Sequence, residues 1–278
     1  MSKLRRSVLY IPADNARALA KAATLPADAV IVDLEDAVAP DRKESARSAA
    51  REAVETLRGM KEVALRINGA DTEWYAGDVA LAATLGVPTV LPKVRTADDV
   101  TRLAAEVGTV WPMMESAEGV WNALPVARAA AATGDTALVV GTNDLALELG
   151  AEPGPGRANL SFALQAIVLA GRAVRADVID GVMNDFRDVD GLVAEARAGR
   201  ALGMTGKTVI HPAQIEPVNG VFAPSAEEVE RARAVVAAME AAEREGRSVA
   251  TLDGRMVERL HADAARRVLA LADAIAAS

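Results

Sequence analysis

The sequence predicts an α/β protein built as one (β/α)8 TIM barrel with a C-terminal helical extension. Its 278 residues are about the length of a single such barrel. Short apolar segments alternate with amphipathic stretches, and they add up to eight strand–helix units. An open doubly wound sheet is the alternative, but no glycine-rich phosphate-binding turn follows an early strand.

The predicted strands are short segments rich in valine and isoleucine. Each is bounded by Gly, Pro, Asp or Asn, a pattern typical of buried parallel strands. In chain order they are Ser7–Pro12, Asp28–Leu34, Glu62–Ile67, Pro88–Pro92, Val107–Met114, Ala137–Gly141, Asp177–Val182 and Lys207–His211.

The stretches between these strands carry apolar residues at helical spacing, with charges on the other side. This pattern predicts helices on the surface of the barrel. It is clearest over Asn15–Ala23, Arg42–Leu57, Ala97–Val107 and Gly191–Leu202. We therefore assign the barrel to residues 1–223.

Residues 224–278 form the predicted helical extension. Ser225 and Glu228 form a capping box that begins a helix over Ala226–Arg244. A hinge is predicted around Gly246 and at Asp253–Gly254, and a last helix runs from Met256 to Ala276. This extension is expected to pack on the barrel or on a neighbouring subunit.

Composition excludes several classes of site. The chain has no cysteine, so it has no disulfide, no thiolate nucleophile and no cysteine-bound zinc. The net charge of −8 disfavours a nucleic-acid-binding surface, and no apolar run approaches the length of a membrane span. The first apolar segment is too short for a secretory signal and is predicted to be the first strand. The absence of cysteine fits a cytoplasmic location.

The functional residues of a barrel follow the C-terminal ends of its strands. Here nearly every strand is followed by a polar or charged group: the Asp33–Asp36 segment, Arg66, Lys93, Glu115, Asp144, Asn184–Asp185 and His211. A rim rich in carboxylates suits a hard cation, Mg²⁺ or Mn²⁺, and Glu115 and Asp144 follow neighbouring strands. Zinc is disfavoured, because His211 and His261 are the two histidines and are far apart in the sequence.

Each of these residues also has a structural interpretation. The acids of the Asp33–Asp36 segment could cap the next helix or pair with Arg42, Lys43 or Arg47. Lys93 and His211 could pair with loop carboxylates. For Arg66 a functional role is favoured, because burying the charge of an arginine within an apolar strand is costly unless the arginine is paired.

Five segments together resemble a known family. They are DLEDAV (33–38), LRIN (65–68), MMES (113–116), GTND (141–144) and GKTVIHPAQI (206–215). The chain resembles the citrate lyase β-subunit-like family of the HpcH/HpaI aldolase/citrate lyase superfamily, whose members include malyl-CoA, citramalyl-CoA and citryl-thioester lyases. The resemblance covers nearly the whole chain.

The resemblance implies a Mg²⁺-dependent carbon–carbon lyase that acts on a CoA thioester. Glu115 and Asp144 match the metal ligands, and Glu115 also contacts the substrate. Arg66 matches a substrate-binding and catalytic arginine, and Asp36 and Lys93 are expected to bind substrate. The implied chemistry is retro-Claisen or retro-aldol cleavage of a 3-hydroxyacyl thioester, giving acetyl-CoA and a 2-oxo acid.

The C-terminal segment departs from the family pattern. Relatives carry an aspartate there, supplied by the adjacent subunit, whereas this chain has Glu258 and lacks the proline that follows. Either Glu258 is the catalytic acid or it is a surface charge. If the extension completes the site, the enzyme is a homo-oligomer, a trimer or a multiple of three. Candidates for contact with the CoA phosphates are Arg5, Arg6, Arg17 and Lys21.

Two other functions stay open from the sequence. One is a CoA-independent aldolase acting on small hydroxy-oxo acids. The other is a subunit of a citrate lyase complex, either acting on an acyl-carrier-protein thioester or serving as a non-catalytic partner. The sequence also does not select among malyl, citramalyl, citryl and 3-hydroxy-3-methylglutaryl groups, nor between cleavage and condensation.

Overall fold

The structure is a computed structural model that describes residues 3–152 and 154–278. It divides into two compact units. The first is Arg5–Phe222, and Ala223–Ser278 makes up the body of the second. Among the described residues, no helix combines the length and the apolar character needed to cross a membrane.

The first unit is a closed barrel of eight parallel strands, which confirms the predicted fold class. The strands are β1 (Ser7–Pro12), β2 (Ala29–Asp33), β3 (Glu62–Arg66), β4 (Thr89–Leu91), β5 (Val110–Met114), β6 (Ala137–Val140), β7 (Asp177–Asp180) and β8 (Gly206–Val209). Strand β1 pairs with β2 from Val8↔Ala29 onward and with β8 from Ser7↔Lys207, so the sheet closes on itself.

The described residues of the first unit contain ten α-helices, which surround or follow these strands. They are α1 (Ala16–Ala22), α2 (Lys43–Leu57), α3 (Tyr75–Leu85), α4 (Ala97–Val107), α5 (Ala117–Trp121), α6 (Ala123–Ala131), α7 (Thr142–Glu148), α8 (Ser161–Val174), α9 (Val189–Leu202) and α10 (Ile215–Phe222). The four helices predicted between strands are all present, with ends shifted by two residues or fewer.

The barrel has two apolar layers because side chains alternate along each strand. One set fills the interior and includes Ile31, Trp111 and Ile179. The other set lies between the sheet and the helices, where α2, α4, α6 and α8 contribute their buried faces. This packing holds the strand ends in fixed positions, as a site built on their loops requires.

Arg5 lies at the N-terminal end of the barrel. Its guanidinium bonds Glu62 and Asp177 at 2.7 and 2.9 Å and lies 4.7 Å from the centre of the Trp111 ring. Arg6 forms a salt bridge with Asp28 at 2.8 Å. The prediction that these two arginines contact CoA is therefore wrong. They precede β1, so they lie at the opposite end from the catalytic rim.

The second unit contains α11 (Ala226–Arg244), β9 (Val249–Leu252), β10 (Arg255–Glu258) and α12 (Arg259–Ala276). The capping box of Ser225 and Glu228 that begins α11 is confirmed. The predicted hinge is instead an antiparallel hairpin, and its turn residues Asp253 and Gly254 have φ of 49° and 73°. Positive φ at both central residues is the requirement of a tight type I′ hairpin turn. The last helix therefore starts at Arg259 and not at Met256.

Candidate active site

Arg66, at the end of β3, is the centre of a charged cluster at the C-terminal rim. Its Nε and NH2 donate to the two oxygens of Asp33 at 2.7 and 2.6 Å. Its NH1 lies 2.6 Å from Glu35 and 3.8 Å from Asp36. Burial opposes the charge of Arg66, but Asp33, Tyr10 and Glu35 raise its pKa above the usual value. The guanidinium is therefore charged and held in one orientation.

Lys43 holds the loop that carries these acids. Its Nζ donates to the carbonyl oxygens of Leu34 and Glu35 at 2.8 and 2.7 Å and to Oδ1 of Asn68 at 2.7 Å. The contacts are with carbonyl and amide oxygens, so Lys43 is not the ion-pair partner of the loop acids.

The other two cations proposed for that structural interpretation also pair elsewhere. Arg42 pairs with Asp14 at 3.2 Å, and Arg47 pairs with Asp78 at 2.7 Å. Asp33 and Glu35 therefore face Arg66, in the interior of the rim.

Glu115 follows β5 and is buried. One of its oxygens, Oε1, accepts a hydrogen bond from the backbone N–H of Lys93 at 2.6 Å. Lys93 directs this N–H from a left-handed conformation, with φ of 53°. Gly141 leaves space for the carboxylate, because a Cβ at that position would lie 2.4 Å from Glu115 Oε2.

The electrostatic surroundings of Glu115 favour a bound cation. Burial, then the charge of Glu35, then that of Asp144 raise its pKa to about 8, against the opposing bond from Lys93. Asp144 lies in the first turn of α7, close enough for its charge to act on Glu115. A divalent cation between these carboxylates would offset their repulsion.

The residues present fit Mg²⁺. No group of three or more His, Cys, Asp or Glu placed to hold a metal occurs in residues 3–152 and 154–278. Glu115 and Asp144, whose charges act on each other, would supply two carboxylates, and the remaining ligands would be water and substrate oxygens. Mg²⁺ is usually bound in proteins in this way.

A cavity of about 350 Å³ opens beside these groups. Its wall combines charged, amide and apolar side chains, including Tyr10, Asp33, Asp36, Arg66, Met113, Asp144, Asn184 and Ile210. Asn143 and Asn184 exchange side-chain hydrogen bonds at 3.2 and 3.1 Å across the loops after β6 and β7. The volume suits a small hydroxy acid, with the rest of a larger substrate outside.

Lys93, Asp36 and His211 lie at the edge of this site. The Lys93 side chain is half exposed, and its Nζ lies 3.9 Å from Glu35. The Asp36 side chain is 63% exposed, so it is open to a ligand. His211 accepts from the backbone N–H of Ala213 at 3.2 Å and stacks on Phe186 with ring centres 4.5 Å apart, contacts that agree with a structural role.

Glu258 belongs to the second unit. It ends β10, and its backbone N–H donates to Nδ1 of His261 at 3.0 Å. It precedes the last helix, whereas the sequence placed it on that helix. Arg17 and Lys21 are exposed on α1; Arg17 lies in the first turn, near the rim where barrel helices begin, and Lys21 lies in the last turn.

Tyr10 and Gly141 are two residues of the site that were not predicted from the sequence. Tyr10 lines the cavity beneath Arg66, with 5.0 Å between the ring centre and the guanidinium carbon. The alternation of side chains along β1 could have identified Tyr10. Val8 points into the barrel, so the side chain two residues later points there as well.

Comparison with known proteins identifies the family. A family model described as HpcH/HpaI aldolase/citrate lyase matches residues 6–212. The chain belongs to this family. A second model, described as a C–C bond lyase of the TIM-barrel fold, matches residues 157–276.

Its relatives in the HpcH/HpaI family carry two kinds of name. A (3S)-malyl-CoA thioesterase of Cereibacter sphaeroides (strain ATCC 17025) is 49% identical over 276 residues, covering 98% of this chain and 96% of that protein. Citrate lyase subunit beta of Escherichia coli K12 is 34% identical and covers 98% and 94%. The citrate lyase relatives and the family support a carbon–carbon lyase.

A solved structure shares the fold over nearly the whole chain. It is CitE from Mycobacterium tuberculosis in complex with magnesium, acetoacetate and coenzyme A. The TM-score is 0.80 and the identity is 32%, with 97% of this chain and 98% of that chain covered.

Proposed function

We propose that this enzyme is a Mg²⁺-dependent lyase whose substrate is a malyl-CoA-type 3-hydroxyacyl thioester. The observation that carries the proposal is a cavity of about 350 Å³ lined by Asp144 and Arg66, whose charges both act on the buried carboxylate of Glu115. The malyl group is favoured because relatives named for malyl-CoA are 47–49% identical, against 33–35% for the citrate lyase subunits.

The net reaction is cleavage of the C2–C3 bond of the malyl group. The 3-hydroxyl loses its proton and becomes the carbonyl of glyoxylate, a 2-oxo acid. The bond's electron pair passes to the thioester enolate, and a proton at C2 completes acetyl-CoA. Bound Mg²⁺ would supply Lewis acidity to the substrate oxygens near Glu115 and Asp144.

The protein residues orient the substrate and stabilise charge. Arg66 is fixed by two carboxylates and presents a charged guanidinium to the substrate carboxylate or the enolate oxygen. Lys93 orients Glu115 through its backbone N–H, and its own side chain, with Asp36, meets the substrate at the rim. Glu258 of an adjacent subunit is the proposed donor of the proton to C2, so we also propose a homo-oligomer, a trimer or a multiple of three.

Hydrolysis of the same thioester is the second candidate function. It is favoured by the relatives of highest identity reported above, which are named as thioesterases. Both reactions need the malyl carboxylate held near the metal, but hydrolysis leaves malate and free CoA. The two functions therefore share a site and differ in the bond that breaks.

One experiment separates these functions. The purified protein is incubated with Mg²⁺ and malyl-CoA, and glyoxylate and free thiol are measured in parallel. The lyase produces glyoxylate without thiol, and the thioesterase produces thiol without glyoxylate. Cleavage of free hydroxy-oxo acids or of an acyl-carrier-protein thioester, with no reaction of any CoA thioester, would support the alternatives from the sequence.

Matched variants test the assigned roles. Glu115→Gln and Asp144→Asn are expected to abolish Mg²⁺-dependent turnover. Glu118→Gln is the control, because Glu118 lies three residues from Glu115 but is half exposed and 3.7 Å from Arg95. Glu258→Gln tests the acid of the second unit, and unchanged turnover would make Glu258 a surface charge. The proposal also places the enzyme in the cytoplasm, which the cysteine-free composition favours.

A further inference from the structure

The Tyr10 hydroxyl is a buried polar group without a partner. Its oxygen is buried, and no described residue forms a hydrogen bond with it. A buried hydroxyl left unpaired costs about 1–3 kcal/mol. Such a group in a native protein calls for an explanation, and one explanation is a partner that arrives with the ligand.

The position of Tyr10 identifies that ligand. The ring lines the cavity, packs on the apolar interior of the barrel and lies under the Arg66 guanidinium. Tyr10 therefore forms part of the cavity floor. A substrate that enters from the C-terminal rim places its small carboxylate-bearing end on this floor, because its CoA portion is too large for a cavity of about 350 Å³.

The surroundings also keep the hydroxyl a donor. Burial is the main cause that raises the Tyr10 pKa, and the charges of Asp33, Glu115 and Glu35 add to the rise against the effect of Arg66. The phenol is thus neutral at working pH. A neutral phenol near several carboxylates donates a hydrogen bond to an anionic oxygen and keeps its proton.

We propose that Tyr10 is a substrate-binding residue that donates a hydrogen bond to an oxygen of the carboxylate-bearing half of the substrate. Arg66 lies over the Tyr10 ring, with 5.0 Å between its guanidinium carbon and the ring centre, so the two groups can contact the same anion from adjacent positions. The inference rests on the proposed function for the identity of the substrate. The Tyr10 hydrogen bond would favour acyl groups that carry this carboxylate, because an acyl group without an oxygen at that position leaves the Tyr10 hydroxyl unpaired.

The test is Tyr10→Phe, which removes one oxygen and keeps the ring. The expected result is a fall in kcat/KM for malyl-CoA of about 10- to 100-fold, the range for a hydrogen bond to a charged group. The melting temperature should stay equal or rise, because the free protein loses an unpaired group. Tyr75→Phe is the matched control, since Tyr75 is the other tyrosine of the chain and lies on α3.

Binding measurements separate this inference from the proposed function. Calorimetry with Mg²⁺ and oxaloacetate should show weaker binding to Tyr10→Phe by about 10-fold or more, whereas coenzyme A alone, which lacks that carboxylate, should bind both proteins equally. In the Tyr75→Phe protein only Tyr10 contributes the tyrosine Raman doublet, and its intensity ratio should change when oxaloacetate binds.

Each outcome decides the inference. A wild-type enzyme inactive on thioesters refutes the proposed function, and the Tyr10 inference then stands or falls on the oxaloacetate affinity. Equal affinity and equal kcat/KM in the two proteins overturn it, as does a wild-type protein that binds no oxaloacetate. A melting temperature several degrees lower in Tyr10→Phe, with an unchanged Raman ratio, would assign Tyr10 a structural role instead.

Discussion

The substitution Gly141→Ala tests whether the placement of Glu115 controls metal binding. Gly141 has φ of −105° and ψ of 83°, with negative φ, so alanine does not meet the penalty of a left-handed backbone. The added Cβ would lie 2.4 Å from Oε2 and 2.5 Å from Cβ of Glu115. The perturbation is therefore a single methyl group against the proposed metal ligand.

The expected effect follows from these two distances. Carbon atoms in contact are separated by about 3.5 Å or more, so Glu115 must move by about 1 Å. An error of this size at a reacting centre costs about 100-fold in rate. The crowding itself should lower the free energy of unfolding by about 1–3 kcal/mol. Activity is thus expected to fall more than stability.

The assay compares Mg²⁺ affinity by calorimetry, turnover of malyl-CoA and urea denaturation for the same protein samples. Gly220→Ala is the control, because Gly220 lies within α10 and a Cβ there has no atom within 4 Å. It should keep wild-type activity and gain about 0.5–1 kcal/mol of stability. Wild-type Mg²⁺ affinity and turnover in Gly141→Ala would refute the role of Glu115 as a positioned ligand.

Three further predictions concern buried charge. Asp180→Asn removes the carboxylate that pairs with Arg157 at 2.7 Å and with the buried Lys207 ammonium at 3.3 Å, and it leaves Lys207 with Glu195 as its remaining carboxylate partner. The substitution should lower the free energy of unfolding at neutral pH, measured in urea, by about 3–5 kcal/mol. Burial opposes the ionised form of Asp180, but Lys207 and Arg157 outweigh this effect and lower the pKa of Asp180. The stability that its carboxylate provides is therefore complete above the unfolded pKa of about 4 and is lost in stronger acid. The unfolding free energies of the wild-type and Asp180→Asn proteins should converge there. Burial raises the pKa of Glu35 to about 7, so the folded state binds this proton more tightly than the unfolded state. The free energy of unfolding should therefore fall by up to about 3 kcal/mol as the pH rises from about 5 to 7. Without metal, Glu35→Gln should flatten this dependence of stability on pH, and an unchanged slope would contradict the shift. Lys43→Met leaves two buried carbonyls and an amide oxygen without their donor and should cost about 2–4 kcal/mol, and an unchanged melting temperature would refute its role in holding the loop.

Local sequence patterns predicted the barrel, because apolar residues repeat at a different spacing in strands and in helices. Strand β1 has the predicted bounds, Ser7–Pro12, because two arginines precede this short apolar segment and its proline is followed by Ala-Asp, so both ends are marked in the sequence. Strand β5 starts at Val110 and not at Val107, because α4 runs to Val107 and Gly108, with φ of 82°, ends it. Helical and strand patterns overlapped there, and the helix capping decided the boundary.

The C-terminal hairpin was missed although its signal was local. Asp253 and Gly254 form the favoured pair for a two-residue turn. The flanking segments are four residues each, too short to show alternation clearly. They form strands because Ala250 and Val257 pack with Met239 and Ala262 in the core of the second unit, a long-range contact that no local pattern contains.

The sequence by itself determined the fold, the family and the order of polar residues along the rim, since each depends on local periodicity or on motifs. It placed Glu115 and Asp144 directly after neighbouring strands for the same reason. Only the tertiary structure decided that Asp33 and Glu35 hold Arg66, that Arg5 is buried in a cluster with Glu62 and Asp177, and that no described residue forms a hydrogen bond with the Tyr10 hydroxyl. Ion pairing, burial and pKa depend on distances through space between distant segments, and closure of the barrel sets those distances.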